Sequence, residues 1–231
     1  MISIEKKKII GVLGGYGPFA TNDFFKLILE STDAKKDWDH MHVIIDNNPR
    51  IPSRGRAFLY NEESPMPYML EGIERLSKAG ADFFICPCNS AHYFLRQYSD
   101  YPIKFVDMID LTLAKIISDG YKKIAVMGAE VTVMAKVYES ALVEAGIEVM
   151  NVEKLEDVRY VIEAAKQNKN KTEAKELMLK LINEFKDRGA DAVIYACTEL
   201  PIILPIDESP LAVYDSSSIL AKGAVALANE K

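Results

Sequence analysis

The sequence contains few cysteines, with three in 231 residues. An odd and small number cannot pair completely, which excludes a disulfide-stapled scaffold. Free thiols persist in reducing compartments, so we expect a cytoplasmic protein. The sequence also lacks an apolar run of the about 20 residues that a membrane-spanning helix requires. Its first apolar run, residues 9–13, is too short for the core of a signal peptide, so we expect neither a leader nor a membrane anchor.

Positive charge is not in excess. The chain has 28 Lys and Arg against 34 Asp and Glu, a formal net charge of −6. A nucleic-acid partner is therefore not expected, because surfaces that bind nucleic acids are basic. Hydrophobic residues make up 49% and charged residues 27% of the chain, which is typical of a folded globular protein.

Short apolar runs alternate with segments of helical periodicity. In the first half, the runs at residues 9–13, 42–46, 83–86 and 103–107 predict strands. Helices are predicted at residues 19–29, 69–79 and 90–98, and a long loop at residues 49–67. Because the apolar runs are continuous, the strands are expected to be buried on both faces, as in a parallel sheet covered by helices. The pattern predicts an α/β fold.

The second half of the chain repeats features of the first. Residues 7–14 resemble residues 122–128, and a Gly-Ala-Asp tripeptide precedes an apolar strand at Gly80 and again at Gly189. A cysteine follows each of these glycines at the same distance, at Cys88 and Cys197. Equal spacing in two copies indicates duplication.

Two pseudo-symmetric three-layer α/β domains with parallel sheets are therefore expected. We expect residues 1–106 and 213–231 to form the first domain and residues 107–212 the second, with the active site in the cleft between them. An Ala-rich helix at residues 219–228 is expected to return to the first domain.

The paired cysteines suggest proton-transfer chemistry. Cys88 precedes Asn89 and Ser90, and Cys197 precedes Thr198, so each thiol lies where a strand ends and a helix begins. Helix N-termini stabilise thiolates, and a thiolate can act as a base. One thiol on each face of a carbon can remove a proton from one side and deliver one to the other. This operation inverts a stereocentre without a cofactor, as racemases and epimerases do.

Other interpretations stay open on these residues alone. Gly15, Gly17 and Ala20 fit the pattern G-x-G-x-x-A, with Asp46 at the end of the next strand, as in a dinucleotide-dependent oxidoreductase. A two-lobed amino-acid binding module without catalysis is a further alternative. A zinc site is disfavoured, because Cys86 and Cys88 are separated by one residue rather than two. Cys86, inside a strand, is interpreted as a packing residue.

Three motifs together resemble the aspartate/glutamate racemase family, and its aspartate racemase branch most closely. They are residues 11–21, Pro-Cys-Asn-Ser-Ala-His at residues 87–92, and Ala-Cys-Thr-Glu-Leu at residues 196–200. The resemblance implies a PLP-independent amino-acid racemase with two pseudo-symmetric α/β domains, usually dimeric, that needs neither cofactor nor metal. It implies Cys88 and Cys197 as the acid/base pair. The substrate-binding positions that it implies are Arg54, Asn89, Ser90, Ala91, Thr132, Lys166 and Thr198, with Thr132 the loosest match.

The sequence also departs from the family pattern next to these positions. Tyr16 stands where methionine is typical, and Ser53 and Gly55 flank Arg54 in place of Asp and Thr. The resemblance implies that Arg54 and Lys166 both hold the side-chain carboxylate of the substrate. Together they favour a substrate with a second carboxylate, since two cations offset the cost of desolvating it. We therefore expect aspartate as the substrate, with glutamate or a broader amino-acid range as the alternative.

Overall fold

The structure, a computed structural model, describes residues 7–230. The chain divides into two compact units. Residues up to Met108, together with those from Ser217 onward, form the first unit, and Ile109–Ser216 form the second. Each unit is an α/β structure with its own parallel sheet.

The helices and strands alternate along the chain. Up to residue 105 they are β1 (Ile10–Gly14), α1 (Pro18–Glu30), β2 (Val43–Asn47), α2 (Arg54–Tyr60), α3 (Met66–Lys78), β3 (Phe83–Ile85), α4 (Asn89–Leu95) and β4 (Lys104–Phe105). From residue 108 they are α5 (Met108–Asp119), β5 (Lys123–Gly128), α6 (Glu130–Met134), α7 (Glu139–Glu144), β6 (Glu148–Asn151), α8 (Leu155–Gln167), α9 (Lys171–Asp187), β7 (Ala192–Ala196), α10 (Leu200–Ile203), β8 (Ala212–Asp215) and α11 (Ser216–Asn229).

The two sheets share one strand order. The first is β2-β1-β3-β4 and the second is β6-β5-β7-β8, and all the pairings are parallel. The inner strands β1, β3 and β7 are buried throughout, which explains why their sequences are continuously apolar. The predicted α/β class and the parallel sheets are confirmed.

The repeated Gly-Ala-Asp tripeptide has the same role in both units. Gly80 and Gly189 take positive φ values of 94° and 84°, which ends the preceding helix. The aspartate then binds the start of the neighbouring strand: Asp82 Oδ2 accepts the Ile9 N–H at 2.6 Å. Asp191 Oδ2 accepts the N–H groups of Lys122 and Lys123 at 2.9 and 2.8 Å. A repeated hydrogen bond therefore underlies the repeat in the sequence.

Each unit buries its own apolar core. In the first unit, side chains from β1, α3 and β3 pack together, including Leu13, Met69, Ile73 and Phe84. In the second unit, the core joins α8, α9 and β7 and includes Val158, Met178, Ile182 and Val193. Among the described helices, none has the length and apolar character needed to cross a membrane.

Two local features differ from the sequence-based expectation. Strand β8 pairs with β7 through Tyr195 and Asp215, so the second unit extends to Ser216 rather than ending at residue 212. The segment expected to be a long loop at residues 49–67 contains α2. This helix begins where Ser53 Oγ accepts the Arg56 N–H at 3.3 Å, an N-cap that offsets the unfavourable glycine after Arg54.

Candidate active site

The candidate residues follow the carboxyl ends of neighbouring parallel strands. In the first unit β1 lies beside β3, so the glycine-rich turn after β1 and the Cys88 turn after β3 leave the same edge of the sheet. In the second unit Gly128 at the end of β5 pairs with Ala196, the residue before Cys197. Loops at this edge are where open α/β sheets bind ligands.

The glycines after β1 allow close backbone packing. A Cβ on Gly14 would lie 2.5 Å from Thr21 Cγ2 in α1. Gly15 has a φ of 92°, and a Cβ there would lie 2.2 Å from the Asn48 carbonyl oxygen. Asp46, the acid required by the dinucleotide hypothesis, accepts a hydrogen bond from Arg75 Nη2 at 2.9 Å. The glycines thus have a packing role, and Asp46 is already engaged by an arginine.

Cys88 is held by hydrogen bonds of its own backbone. It is the N-cap residue of α4, and its N–H donates to the Cys86 carbonyl at 2.9 Å. The Ala91 N–H donates to the Cys88 carbonyl at 3.0 Å, so the backbone donor of this predicted substrate-binding residue is already used. Cys86 is fully buried in the core, as expected of a packing residue, and burial raises the pKa of its thiol well above the ordinary value.

His92 fixes the same turn from inside the unit. Its side chain is fully buried, and its Nε2 accepts the Met108 N–H at 3.2 Å. A ring nitrogen that accepts leaves the proton on the other one, so we assign Nδ1 as the donor to the Cys88 carbonyl, 2.9 Å away. The histidine thereby links the Cys88 turn to the start of α5.

Arg54 stacks on Tyr16. The guanidinium carbon lies 4.7 Å from the centre of the tyrosine ring, and Arg54 Nη1 donates to the Pro52 carbonyl at 3.4 Å. The Arg54 Nε and the Tyr16 hydroxyl are buried without a hydrogen-bond partner among the described residues. Burial, and next the nearby Cys86 and Cys88, raise the pKa of Tyr16 well above its ordinary value. An unpaired guanidinium donor beside Tyr16 is suited to an anionic ligand.

Cys197 contacts a buried carboxylate. Its Sγ donates to Glu199 Oε2 at 2.9 Å, and Thr198 Oγ1 donates to the same oxygen at 2.9 Å. Burial, followed by the charge of Glu199, raises the pKa of the Cys197 thiol well above its ordinary value. Both effects favour the neutral thiol form of Cys197.

Lys166 approaches the same carboxylate from α8. Its Nζ lies 3.8 Å from Glu199 Oε1, and its side chain is about half exposed (56%). That distance is longer than a hydrogen bond, so the ammonium group can still bind an anion from solvent. Cys197, Thr198, Glu199 and Lys166 form one cluster in the second unit.

The remaining predicted residues lie at the helices that follow β3 and β5. Asn89 and Ser90 open α4 directly after Cys88, with Asn89 buried. Thr132 is buried in α6, on the segment that follows β5. The first unit therefore carries Cys88, Arg54, Asn89, Ser90 and Ala91, and the second carries Cys197, Thr132, Lys166 and Thr198.

The sequence does not predict three contacts in the structure. They are the stacking of Arg54 on Tyr16, the hydrogen bond of His92 to the Cys88 carbonyl, and the hydrogen bond of Cys197 to Glu199. Glu199 is the N-cap residue of α10, yet its side chain makes no capping hydrogen bond. A charged residue three positions after the end of the buried strand β7 was the available signal for it. Among residues 7–230, no group of three or more His, Cys, Asp or Glu side chains could hold a metal ion.

Comparison with known proteins gives consistent matches along the chain. The sequence profile of the Asp/Glu/Hydantoin racemase family matches residues 13–224. The broad specificity amino-acid racemase RacX of Bacillus subtilis (strain 168) is 29% identical over 223 residues, covering 94% of this chain and 96% of that protein.

Solved structures give the same result. Picrophilus torridus aspartate racemase superposes with a TM-score of 0.89 and 32% identity, covering 97% of this chain and 95% of that one. An aspartate racemase homologue from Pyrococcus horikoshii OT3 superposes with a TM-score of 0.78 and 25% identity, covering 96% and 100%. A profile match over most of the chain and relatives of this similarity show that the protein belongs to the Asp/Glu/hydantoin racemase family and is an isomerase.

Proposed function

We propose that this racemase interconverts L- and D-aspartate, without a cofactor, by proton transfer through Cys88 and Cys197. The observation that carries the proposal is the equivalence of the two cysteines. Cys88 follows β3 and Cys197 follows β7, and these strands hold the same position in sheets of the same order. Two thiols in equivalent turns suit a reaction whose two directions differ only in which face of Cα loses the proton.

In the proposed reaction, the base form of one cysteine removes the proton from Cα, and the electron pair of the broken C–H bond stays on the substrate. The thiol of the other cysteine delivers its proton to the opposite face. The two roles are exchanged for the other enantiomer. Each turnover therefore conserves the number of protons on enzyme plus substrate.

Charged and polar groups near the cysteines support a dicarboxylate substrate. We propose that Arg54 and Lys166 hold the side-chain carboxylate, since each presents a cation with donor capacity left. The amino and α-carboxylate groups are assigned to Asn89, Ser90, Thr198 and, from the neighbouring turn, Thr132. Ala91 is a weaker candidate, because its N–H already donates to Cys88.

Incubation with L-aspartate in D₂O tests the reaction class. The expected result is deuterium at Cα together with D-aspartate, with no cofactor added. Saturable NAD binding with no exchange would instead support an oxidoreductase, and aspartate binding with no exchange would support a binding module.

Single substitutions test the two-thiol mechanism. Cys88→Ala and Cys197→Ala should each abolish racemisation, because each removes one of the two proton carriers. Cys86→Ala removes a thiol from the core only, and we expect it to keep most of the activity. Full racemisation by either of the first two variants would contradict the mechanism.

A broad-specificity racemase is a second candidate function. Two observations favour it: RacX is described as acting broadly, and Tyr16 occupies the position where the family typically has methionine. A panel of L-amino acids, including aspartate, glutamate and apolar residues, separates the candidates. A preference for aspartate over apolar substrates of more than about 100-fold, roughly 2.7 kcal/mol, supports the first; comparable rates across the panel support the second.

We further propose that the enzyme is a homodimer in the cytoplasm. The family resemblance supports the dimer, and the three free cysteines suit a reducing compartment. Light scattering after gel filtration measures the mass directly, and the mass of a monomer would contradict the dimer.

A further inference from the structure

We infer that Cys86 and Cys88 form a redox pair, in which a hydroperoxide oxidises Cys88 and Cys86 then closes a disulfide with it. Both thiols are free in the structure. The buried cysteine that packs in the core therefore has a second role, as the thiol that resolves the oxidised one. The disulfide chemistry depends on these two residues alone, whereas its effect on activity rests on the proposed function of Cys88.

The turn between the two cysteines brings their backbones together. The Cys88 N–H donates to the Cys86 carbonyl at 2.9 Å, which closes a γ-turn with Pro87 at its centre. Proline suits this position, because its fixed φ lies close to that of an inverse γ-turn. In such a turn, two Cα–Cα steps of about 3.8 Å fold so that the outer Cα atoms lie roughly 5.5 Å apart. A disulfide requires a Cα–Cα separation of about 4.4–6.8 Å, so this turn can hold one.

The two side chains lie on the same side of the turn. Cys86 belongs to the apolar core of the first unit, and Cys88 packs against that same core. After burial, first Cys86 and then Cys88 raise the pKa of Tyr16, so both sulfurs lie near one phenol. Neither sulfur therefore has to pass the backbone to reach the other.

The two thiols differ in exposure. Cys86 is fully buried, whereas Cys88 is partly exposed where the chain leaves β3. Burial, and next the charge of Cys88, raise the pKa of the Cys86 thiol well above its ordinary value. Because oxidation by peroxides follows thiolate character and exposure, Cys88 reacts first and Cys86 stays reduced until then. An accessible cysteine beside a second thiol is the arrangement of a redox-sensitive pair.

Packing alone does not explain a thiol at position 86. In the repeat, Cys197 corresponds to Cys88, and the residue two positions before Cys197 is Tyr195. Tyr195 is fully buried, as Cys86 is. An aromatic side chain thus fills the equivalent core position in the second unit, and only the first unit places a second thiol beside its cysteine.

The reaction balances with hydrogen peroxide as the oxidant. The Cys88 thiolate attacks one peroxide oxygen, the O–O bond breaks, and the sulfur becomes a sulfenic acid while hydroxide leaves. The Cys86 sulfur then attacks the sulfenic sulfur. An S–S bond forms, the S–O bond breaks, and the hydroxyl group leaves with the Cys86 proton as water. The two cysteines together give two electrons to the peroxide, and a dithiol returns them.

The disulfide switches racemisation off reversibly. Within it, the Cys88 sulfur has neither a proton to deliver nor a free electron pair basic enough to accept one. The bond also prevents further oxidation of Cys88 to a sulfinic acid, which is irreversible. It closes a ring across only three residues, and strained disulfides are the readily reduced ones. Activity is therefore expected to return with the reductant.

Peptide mapping after treatment with excess hydrogen peroxide tests the pair. Trypsin releases Cys86 and Cys88 together in residues 79–96, and Cys197 separately in residues 189–222. In wild type, the first peptide should lose about 2 Da and resist alkylation until dithiothreitol is added. Cys197→Ala keeps both cysteines of the turn and should form the same disulfide to the same extent. A first peptide without this disulfide, or a disulfide that needs Cys197, overturns the inference.

Cys86→Ala provides the matched comparison for activity. Peroxide should lower racemisation by wild type at least about tenfold, and dithiothreitol should restore it to within about twofold of its starting value. Cys86→Ala should lose activity under the same treatment without recovering it, because its Cys88 proceeds to the sulfinic acid. Equal recovery in the two proteins, whether complete or absent, overturns the inference.

The two measurements also separate the redox pair from the proposed function. Mapping of the disulfide does not depend on turnover. Wild type that carries the disulfide and still racemises aspartate fully overturns the proposed role of Cys88, and leaves the redox pair in place. Absence of racemisation before any treatment overturns the proposed function alone.

Discussion

At the scale of single residues, the contact between Tyr16 and Arg54 is the feature of the first unit that bears most on the proposed function. The ring supports the guanidinium at 4.7 Å and so orients the side chain of Arg54, the residue that we propose binds the substrate carboxylate. Orientation in advance lowers the entropy lost on binding. Methionine, which is typical at this position in the family, has no aromatic ring and cannot form this cation–π contact.

Exchange of this ring measures its effect on substrate binding. Tyr16→Phe keeps the stacked ring, whereas Tyr16→Met removes it. We expect KM for aspartate to rise about three- to tenfold in Tyr16→Met, which corresponds to the roughly 1 kcal/mol of a cation–π contact. The rise in Tyr16→Phe should be smaller. Steady-state kinetics of both variants provide the comparison, and equal KM values would contradict an orienting role for the ring.

His92 makes a residue-scale prediction about stability. His92→Phe preserves a buried ring but removes the two hydrogen bonds that His92 makes to the Cys88 carbonyl and the Met108 N–H. Each lost hydrogen bond costs about 0.5–1.5 kcal/mol, so the free energy of unfolding should fall by about 1–3 kcal/mol. Urea unfolding measures this change. His42→Phe, at an exposed position, is the control and should change stability by less than about 0.5 kcal/mol.

At the scale of elements, two glycines with nearly the same backbone conformation have very different surroundings. Gly15 and Gly80 have φ values of 92° and 94°. A Cβ on Gly15 would collide with the Asn48 backbone, whereas a Cβ on Gly80 meets nothing within 4 Å. A comparison of the two glycines therefore separates the energetic cost of backbone strain from the cost of close packing.

Alanine at each position measures the two effects. Gly80→Ala should lower the free energy of unfolding by about 1–2 kcal/mol, the strain of a left-handed conformation. Gly15→Ala adds overpacking of a turn that must move from the Asn48 segment, for a total of about 3 kcal/mol or more. Equal losses in urea unfolding would show that the turn after β1 can move freely away from the chain after β2.

The sequence predicts those strands and helices whose residues follow a single hydrophobic pattern. The buried strands β1, β3 and β7 were readable because their apolar runs are uninterrupted. Helix α2 could not be predicted from the sequence. Its first turn contains Gly55, and it begins at a serine N-cap within a segment whose composition is typical of a loop. Likewise, the predicted helix at residues 90–98 is shorter, since α4 ends at Leu95.

The candidate site likewise has features that the sequence predicts and contacts that it does not. The positions of Cys88 and Cys197 follow from a repeated spacing, which is local information. The contact of Arg54 with Tyr16 joins turns from two different strands, and its distance depends on tertiary packing. The bond from Cys197 to Glu199 depends on the turn conformation between β7 and α10, which residue types alone do not specify.

At the scale of the whole molecule, the chain crosses between the units twice. It leaves the first unit after Met108 and returns at Ser217, so the first unit needs both ends of the chain. The Ala228 carbonyl accepts the Lys8 N–H at 3.0 Å, which places α11 beside the entry to β1.

Removal of residues 217–231 should therefore affect the two units unequally. Without α11, we expect backbone amides of β1 and β3 to lose protection from hydrogen exchange by at least about 100-fold, equivalent to roughly 2.7 kcal/mol of opening free energy. The amides of β5 and β7 should remain protected, since their sheet and core come from Ile109–Ser216. Exchange measured by mass spectrometry resolves the strands, and equal loss in both units would contradict this division.

This division has a consequence for the protein during synthesis. Domains usually fold in the order in which the ribosome makes them, the N-terminal one first. Here every residue of the second unit has been made once Ser216 is added, whereas the first unit still lacks its residues from Ser217 onward. The unit that is begun first is thus completed second, because all of the second unit lies between its two parts in the chain.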